Sequence, residues 1–221
     1  MSWTVDDIQQ QIASEIDQSS SAPATSDADW TIRLNLINRA NRDWADAYDW
    51  AALKKIYNVN ISTSTGNASL SLPANFRRID GYVRIPNYDL QVVNPTENLL
   101  YTDSDKYVNI LGNETDGKTM YISAGTLASG ASIQFTYYAS PATLATTTQR
   151  SEISDPTYLV QRTLYYLYKG REDGRFPEAK VESDRILARM IENENTKGWG
   201  EKDRRVHVYA HPFRNFRVGR D

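Results

Sequence analysis

The hydrophobic period of this chain changes twice, from helical to alternating and back again, and that order limits what it can fold into. Near the start Val5, Ile8, Ile12 and Ile16 recur at i, i+3, i+7 and i+11, with Asp6 and Asp7 in the first turn, which predicts an amphipathic helix over residues 3–17. The stretch SSSAPATSDAD follows as a small-residue linker, and Asp27 or Asp29 is placed to cap a second helix running to about Trp50. In that helix Trp30, Leu34, Ile37, Trp44 and Tyr48 fall at near-heptad spacing on one face, so the face packs against something. From KKIYNVNIS onward the period is two. Tyr57, Val59 and Ile61 share one side, Leu70 and Leu72 alternate with serines, and Ile79, Val83 and Ile85 continue the pattern. YDLQVV, KYVNILG, MYIS and ASIQFTYYASP read as further strands, with Ile133, Phe135 and Tyr137 facing one way in the last, and TSTGNAS and NETDGKT supply turns.

The helical period returns at DPTYLVQRTLYYLYKG, where Asp155 caps, Pro156 suits the first helical position and Gly170 closes. FPEAKVESDRILARMIENENTKGWG repeats that grammar with Pro177 and Gly198, and Ala179, Ile186 and Met190 form its apolar stripe. The simplest topology is an α+β fold: a bundle of about four helices, residues 1–53 and 142–200, whose chain detours through an inserted antiparallel β sandwich or barrel-like module, residues 54–141. Residues 201–221 are expected to be an extended arm, since EKDRRVHVYAHPFRNFRVGRD lacks a helical pattern and holds Pro212 in its middle.

Composition narrows the function. The 221 residues are long enough to bury a sizeable core, and no apolar run approaches the ~18 residues a membrane helix needs. The first residues, MSWTVDDIQQQ, lack the features of a signal peptide. Absence of cysteine excludes disulfides, thiol catalysis and cysteine-zinc sites. His207 and His211, the two histidines, stand four apart, but Pro212 and the extended pattern argue against a metal site, and no carboxylate is spaced to complete one. There is no G-x-S-x-G pentapeptide and no phosphate-cradling glycine loop, and NETDGKT lacks the calcium-loop pattern. Neither catalytic residue, metal nor cofactor is expected. Charge is uneven: from Lys202 onward six basic residues face two acidic ones, a net +4, which leaves −7 for the rest of a chain of formal charge −3.

LINRANRDWADAYDW, SLSLPANFRRIDGYVRI, ASIQFTYYASPATL and the run from YLVQRTLYYLYKG to RILARMI, taken in this order, resemble the phage head-to-tail adaptor family over residues 29–195. The matching elements are residues 38–40, 48–50, 72–79, 137–144 and 179–187. The resemblance implies a virion structural protein, not an enzyme, that forms a homo-oligomeric ring, commonly of twelve copies, beneath the portal protein at the head-tail junction. Double-stranded DNA would pass through the ring without sequence-specific binding, past an acidic surface that keeps the duplex mobile. The lower rim would receive a tail tube or tail nozzle protein. Trp30, Leu34, Ile37, Trp44, Tyr48 and Trp50 would then be packing anchors of the bundle and of its joint with the β module. In the arm Tyr209, Phe213 and Phe216 would fill portal pockets while Arg204, Arg205, Arg214 and Arg217 pair with acidic groups. Two other readings stay open: a tail-associated carbohydrate- or surface-binding module, and a nucleic-acid-binding accessory protein acting through the basic arm.

Overall fold

A computed structural model describes residues 3–61, 67–86, 88–93, 107–113, 115–123 and 130–196. The arm, with both histidines and its seven candidate contact residues, lies outside the described residues. Helix α1 is Val5–Asp17. Its first amides are all provided for: the Thr4 hydroxyl accepts from the Asp7 amide in a capping box, and the carbonyls of Gln149 and Thr147 accept from Val5 and Asp6 at 2.9 and 3.0 Å.

Helix α2, Ala28–Ala47, stops three residues before Trp50. Tyr48 turns to extended backbone there, and the Trp50 indole donates to the Trp44 carbonyl at 2.6 Å, taking an acceptor that the last turn leaves open. Asp27 occupies the cap position but does not cap. Its carboxylate accepts instead from the Ala24 amide at 3.1 Å, within the linker.

A short 3-10 turn, Ala51–Leu53, leads into the strands β1 (Lys54–Asn60), β2 (Asn67–Ser71), β3 (Phe76–Ile85), β4 (Tyr88–Val93), β5 (Tyr107–Asn113), β6 (Gly117–Ser123) and β7 (Ser132–Ala139). They form one seven-stranded sheet in the order β1-β7-β3-β4-β5-β6-β2. The sheet is mixed where an antiparallel one was expected, because β4 and β5 pair in parallel, with Val92 opposite Val108. Residues 94–106 join these two strands, and a parallel neighbour needs a crossover connection of about that length, whereas a hairpin does not. Leu90, Val108, Met120, Ile122, Ile133 and Phe135 line a single buried face. The sheet curls around that face: Lys118 on β6 donates to the Phe76 carbonyl on β3, three strands away in the order, at 3.3 Å. A two-residue bulge at Gly81 and Tyr82 keeps Ile79 and Val83 on the same side, and Gly81 supplies the positive φ of 82° that the bulge requires.

The chain returns to the helices through residues 140–153. Helices α3 (Thr157–Gly170) and α4 (Phe176–Thr196) complete the helical part. Asp155 accepts from the Thr157 amide at 3.2 Å, and Pro156 sits one position before the first helical residue. Gly170 is the last residue of α3, while the left-handed conformation comes at Glu172 (φ 55°). A second cluster of buried side chains runs through all four helices and takes in Leu53, Leu144 and Ile153 from the segments that leave for the sheet and come back.

That return is pinned by α2. The Asn38 side chain donates to the Leu144 carbonyl and accepts from the Leu144 amide, both at 2.8 Å, and Asn41 donates to the Ala142 carbonyl at 3.2 Å. Asn38→Ala leaves both backbone groups of Leu144 without their partner, so a loss of about 1–3 kcal/mol in urea unfolding is expected, against near zero for Asn35→Ala on the exposed side of the same helix.

Candidate functional site

The packing residues expected on α2 and just beyond its end fall into two groups. Trp30, Leu34 and Ile37 pack in the helical core toward α1, where Gln9 donates to the Trp30 carbonyl at 3.1 Å. Trp44, Tyr48 and Trp50 meet at the other end, where the chain leaves for β1. Trp44 and Trp50 are 1% and 2% exposed and stack with ring centroids 5.2 Å apart, and half-buried Tyr48 meets Trp50 edge-on at the same separation. α4 closes this end: the Tyr48 hydroxyl donates to Asn195 at 2.5 Å, and Glu194 accepts from the Ala51 amide at 2.9 Å.

Ion pairs surround the aromatic joint. Arg77 on β3 donates to the Ala45 carbonyl at 2.8 Å and pairs with Asp46 at 2.5 Å. Arg78 pairs with Asp49 and lies over the Tyr138 ring at 4.4 Å, and Lys54 pairs with Asp80. The hydrogen bond to Asp80 raises the Lys54 pKa against the opposing effect of burial. The two arginines of the FRRI element therefore tie the sheet to the end of α2. Nothing in the sequence pattern marks them for this, because their partners lie about thirty residues earlier. Between α2 and the returning chain lies an open cleft of about 620 Å³, lined by Asn35, Asn41, Arg42, Arg77, Pro141 and Thr143 among others.

Two polar clusters in the helices were also missed. Arg33, 2% exposed, pairs with Asp17 at 2.6 Å and Asp29 at 3.6 Å, and only the Asp29 contact, four residues apart on one helix, has a sequence signal. Asp43 accepts from Arg162 at 3.0 Å and from the Tyr166 hydroxyl, while the Arg39 guanidinium lies 4.2 Å from the centre of the Tyr166 ring. Burial pushes the Tyr166 phenol up and its hydrogen bond to Asp43 adds to the shift. Among the described residues no group of three or more His, Cys, Asp or Glu is placed to hold a metal ion, and no helix is long and apolar enough to cross a membrane.

The fold builds a helical cluster and a curled sheet, joined by stacked tryptophans and cross-element ion pairs, and this is an α+β architecture. The chain belongs to the SU10 adaptor protein family, whose model matches residues 3–207. This agrees with the resemblance to phage head-to-tail adaptors and widens it, since the match takes in α1 and the first residues of the arm, which the motifs left out. No curated protein matches the chain.

Two outcomes check this description. Trp50→Ala removes the stack on Trp44 and the indole bond to its carbonyl together, so a loss of about 3–5 kcal/mol is expected in denaturant unfolding. Asp155 gives a pH test. Burial opposes its ionisation, but bonds from Thr157 and from Arg189 on α4, the latter at 2.8 Å, hold its carboxyl below the usual range. A depressed carboxylate pKa contributes stability that is complete above the unfolded value, about 3.9, and is lost as pH falls through the folded value. Asp155→Asn is therefore expected to be less stable than wild type by about 1 kcal/mol at pH 7. The gap should narrow as pH falls below about 3.9 and close once it passes the depressed folded value, and a gap that stays constant with pH would contradict this role.

Proposed function

We propose that this protein is a virion structural component of the phage head-tail junction: it forms a ring beneath the portal protein, extends the DNA channel and offers its lower rim to a tail tube or tail nozzle protein. The observation that carries the reading is the adaptor-family match across residues 3–207, nearly the whole chain. Residues 1–53 and 142–200 are assigned to the ring wall and residues 54–141 to a β module at its rim, a division in keeping with the two separate buried clusters. Twelve copies would suit a portal of that symmetry. The mechanism is geometric and involves no bond-making step.

Charge supports the same reading. Residues 202–221 carry +4 and the rest of the chain −7. An acidic wall repels phosphate and lets a duplex slide, whereas a basic wall would hold it through each phosphate neutralised. The arm is assigned to the portal, with Tyr209, Phe213 and Phe216 as anchors and Arg204, Arg205, Arg214 and Arg217 as charge partners.

The test is co-sedimentation with the cognate portal ring, comparing the full chain with one stopped after Glu201. Ring stoichiometry for the full chain and a free truncated chain are expected. If neither sediments with the portal, the adaptor assignment fails; glycan binding or a steeply salt-dependent DNA affinity would then point to the other classes.

A further inference from the structure

Strand β1 is an open edge. It pairs with β7 on one side and, among the described residues, with nothing on the other. It is seven residues long against five for β2, the other edge strand. Lys54 and Lys55 guard only its first two positions, and residues 56–60 carry no charge. Ile56 is 72% exposed on the outer face, and Tyr57 and Val59 are half-buried at the rim of the sheet core. A long, uncharged edge of this kind is a template for another strand.

The end of α4 brings a candidate to it. Glu194 and Asn195 are hydrogen-bonded to Ala51 and Tyr48, so the chain beyond Thr196 sets out beside the turn that enters β1. Residues 205–210 of that chain read Arg-Val-His-Val-Tyr-Ala, in which Val206 and Val208 alternate with His207 and Tyr209, a strand pattern with β-branched residues on one side. The eight residues 197–204 reach about 26 Å, a little more than the ~23 Å of seven-residue β1, so either end of the strand lies within range.

We propose that residues 205–210 add to the free edge of β1 in the same chain as an eighth strand. Val206 and Val208 then extend the buried face beside Tyr57 and Val59, and Tyr209 lies against Ile56 on the outer face. The segment belongs to its own chain because α4 is fastened to the entry of β1 in that chain. Phe213, Arg214, Phe216 and Arg217 lie beyond the added strand and stay free for the portal, whereas Arg205 and Tyr209, assigned above to portal contacts, are here held at the sheet edge until a partner displaces them. The proposal goes beyond the adaptor reading and does not depend on portal binding.

Absence of native cysteine makes the test direct. Purified protein carrying Ile56→Cys and Tyr209→Cys is oxidised mildly beside a control pair, Leu111→Cys and Tyr209→Cys, whose first position is an exposed residue on β5. An intrachain disulfide forming about tenfold faster in the first pair is expected, because cross-strand neighbours lie within disulfide range. Equal rates, or bonds mainly between chains, would overturn the proposal. The second measurement is amide exchange of residues 54–60 in the full chain, in the chain stopped after Glu201 and in the full-length Val208→Pro variant, which keeps the arm's charge but removes a ladder donor. Exchange about tenfold faster in both altered chains is expected, and exchange equal to that of the full chain in both would overturn it.

Discussion

The chain leaves its helices at Leu53 and has to come back to them after seven strands, and the place where it comes back is held by two asparagine side chains on α2. Asn38 gives Leu144 what a neighbouring strand would give, one acceptor and one donor, and Asn41 takes the Ala142 carbonyl and the Ser151 hydroxyl. With the backbone satisfied, Leu144 can enter the helical core, where it is almost fully buried. The same returning segment supplies the carbonyls of Thr147 and Gln149 that accept from the first amides of α1. The start of α1 therefore depends on the return of a segment more than a hundred residues later. The three parts are coupled through α2 rather than through the sheet.

Magnitudes separate what holds the joint from what orients it. An exposed ion pair contributes about 0–1 kcal/mol, so Arg78 with Asp49 and Lys54 with Asp80 are weak ties taken singly. Two nearly fully buried, stacked tryptophans contribute several times that. Arg77 stands between these cases, since its guanidinium is bonded to a backbone carbonyl at the end of α2 as well as to Asp46. The tryptophans fix the end of α2, and the arginines set the direction in which the sheet leaves it. Elsewhere charge is used differently. Six acidic residues precede Arg33, the first basic residue of the chain, and Arg33 is almost entirely enclosed with two of them beside it. The remaining four add to the acidic character of the region around α1.

The elements that could be read from the sequence were those whose cause is local. Helix period, the Asp155-Pro156 start of α3 and the alternation of Ile133, Phe135 and Tyr137 are properties of short windows, and the structure shows each of them. Boundaries were less legible where a distant or unusual bond decides them, as at Tyr48, where an indole takes the carbonyl that would have continued α2. The parallel pairing of β4 with β5 could not be read, because strand partners are chosen across the fold and both strands look alike in any pairing. Apolar residues announce themselves by spacing, and Trp30, Leu34, Ile37, Trp44 and Trp50 are all buried in the helical core. Asn38, Arg77 and Arg78 fall within the matched motifs but their contacts could not be read, nor could those of Asn41, because a polar side chain gives no sign of its partner until the fold supplies one.

The strand order bears on how such a chain could work within an assembly. β1 and β2 are neighbours in sequence yet stand at opposite edges of the sheet, and all the strands between them are supplied later in the chain. The sheet can close on its own core only by curling, and Gly112 shows how tight one hairpin has become: a Cβ there would lie 2.2 Å from the Gly117 carbonyl oxygen. Because the curled sheet buries its apolar face against itself, it makes no demand on the helices beyond the joint. Among the described residues the sheet leaves the outer surfaces of α2, α3 and α4 uncovered, and the sheet and the helices can each be contacted without the other's core being opened. For a protein proposed to sit between a head and a tail, that independence matters more than any single contact: a load applied to the sheet reaches the helices through one aromatic joint, a few arginines and the return pinned by Asn38 and Asn41.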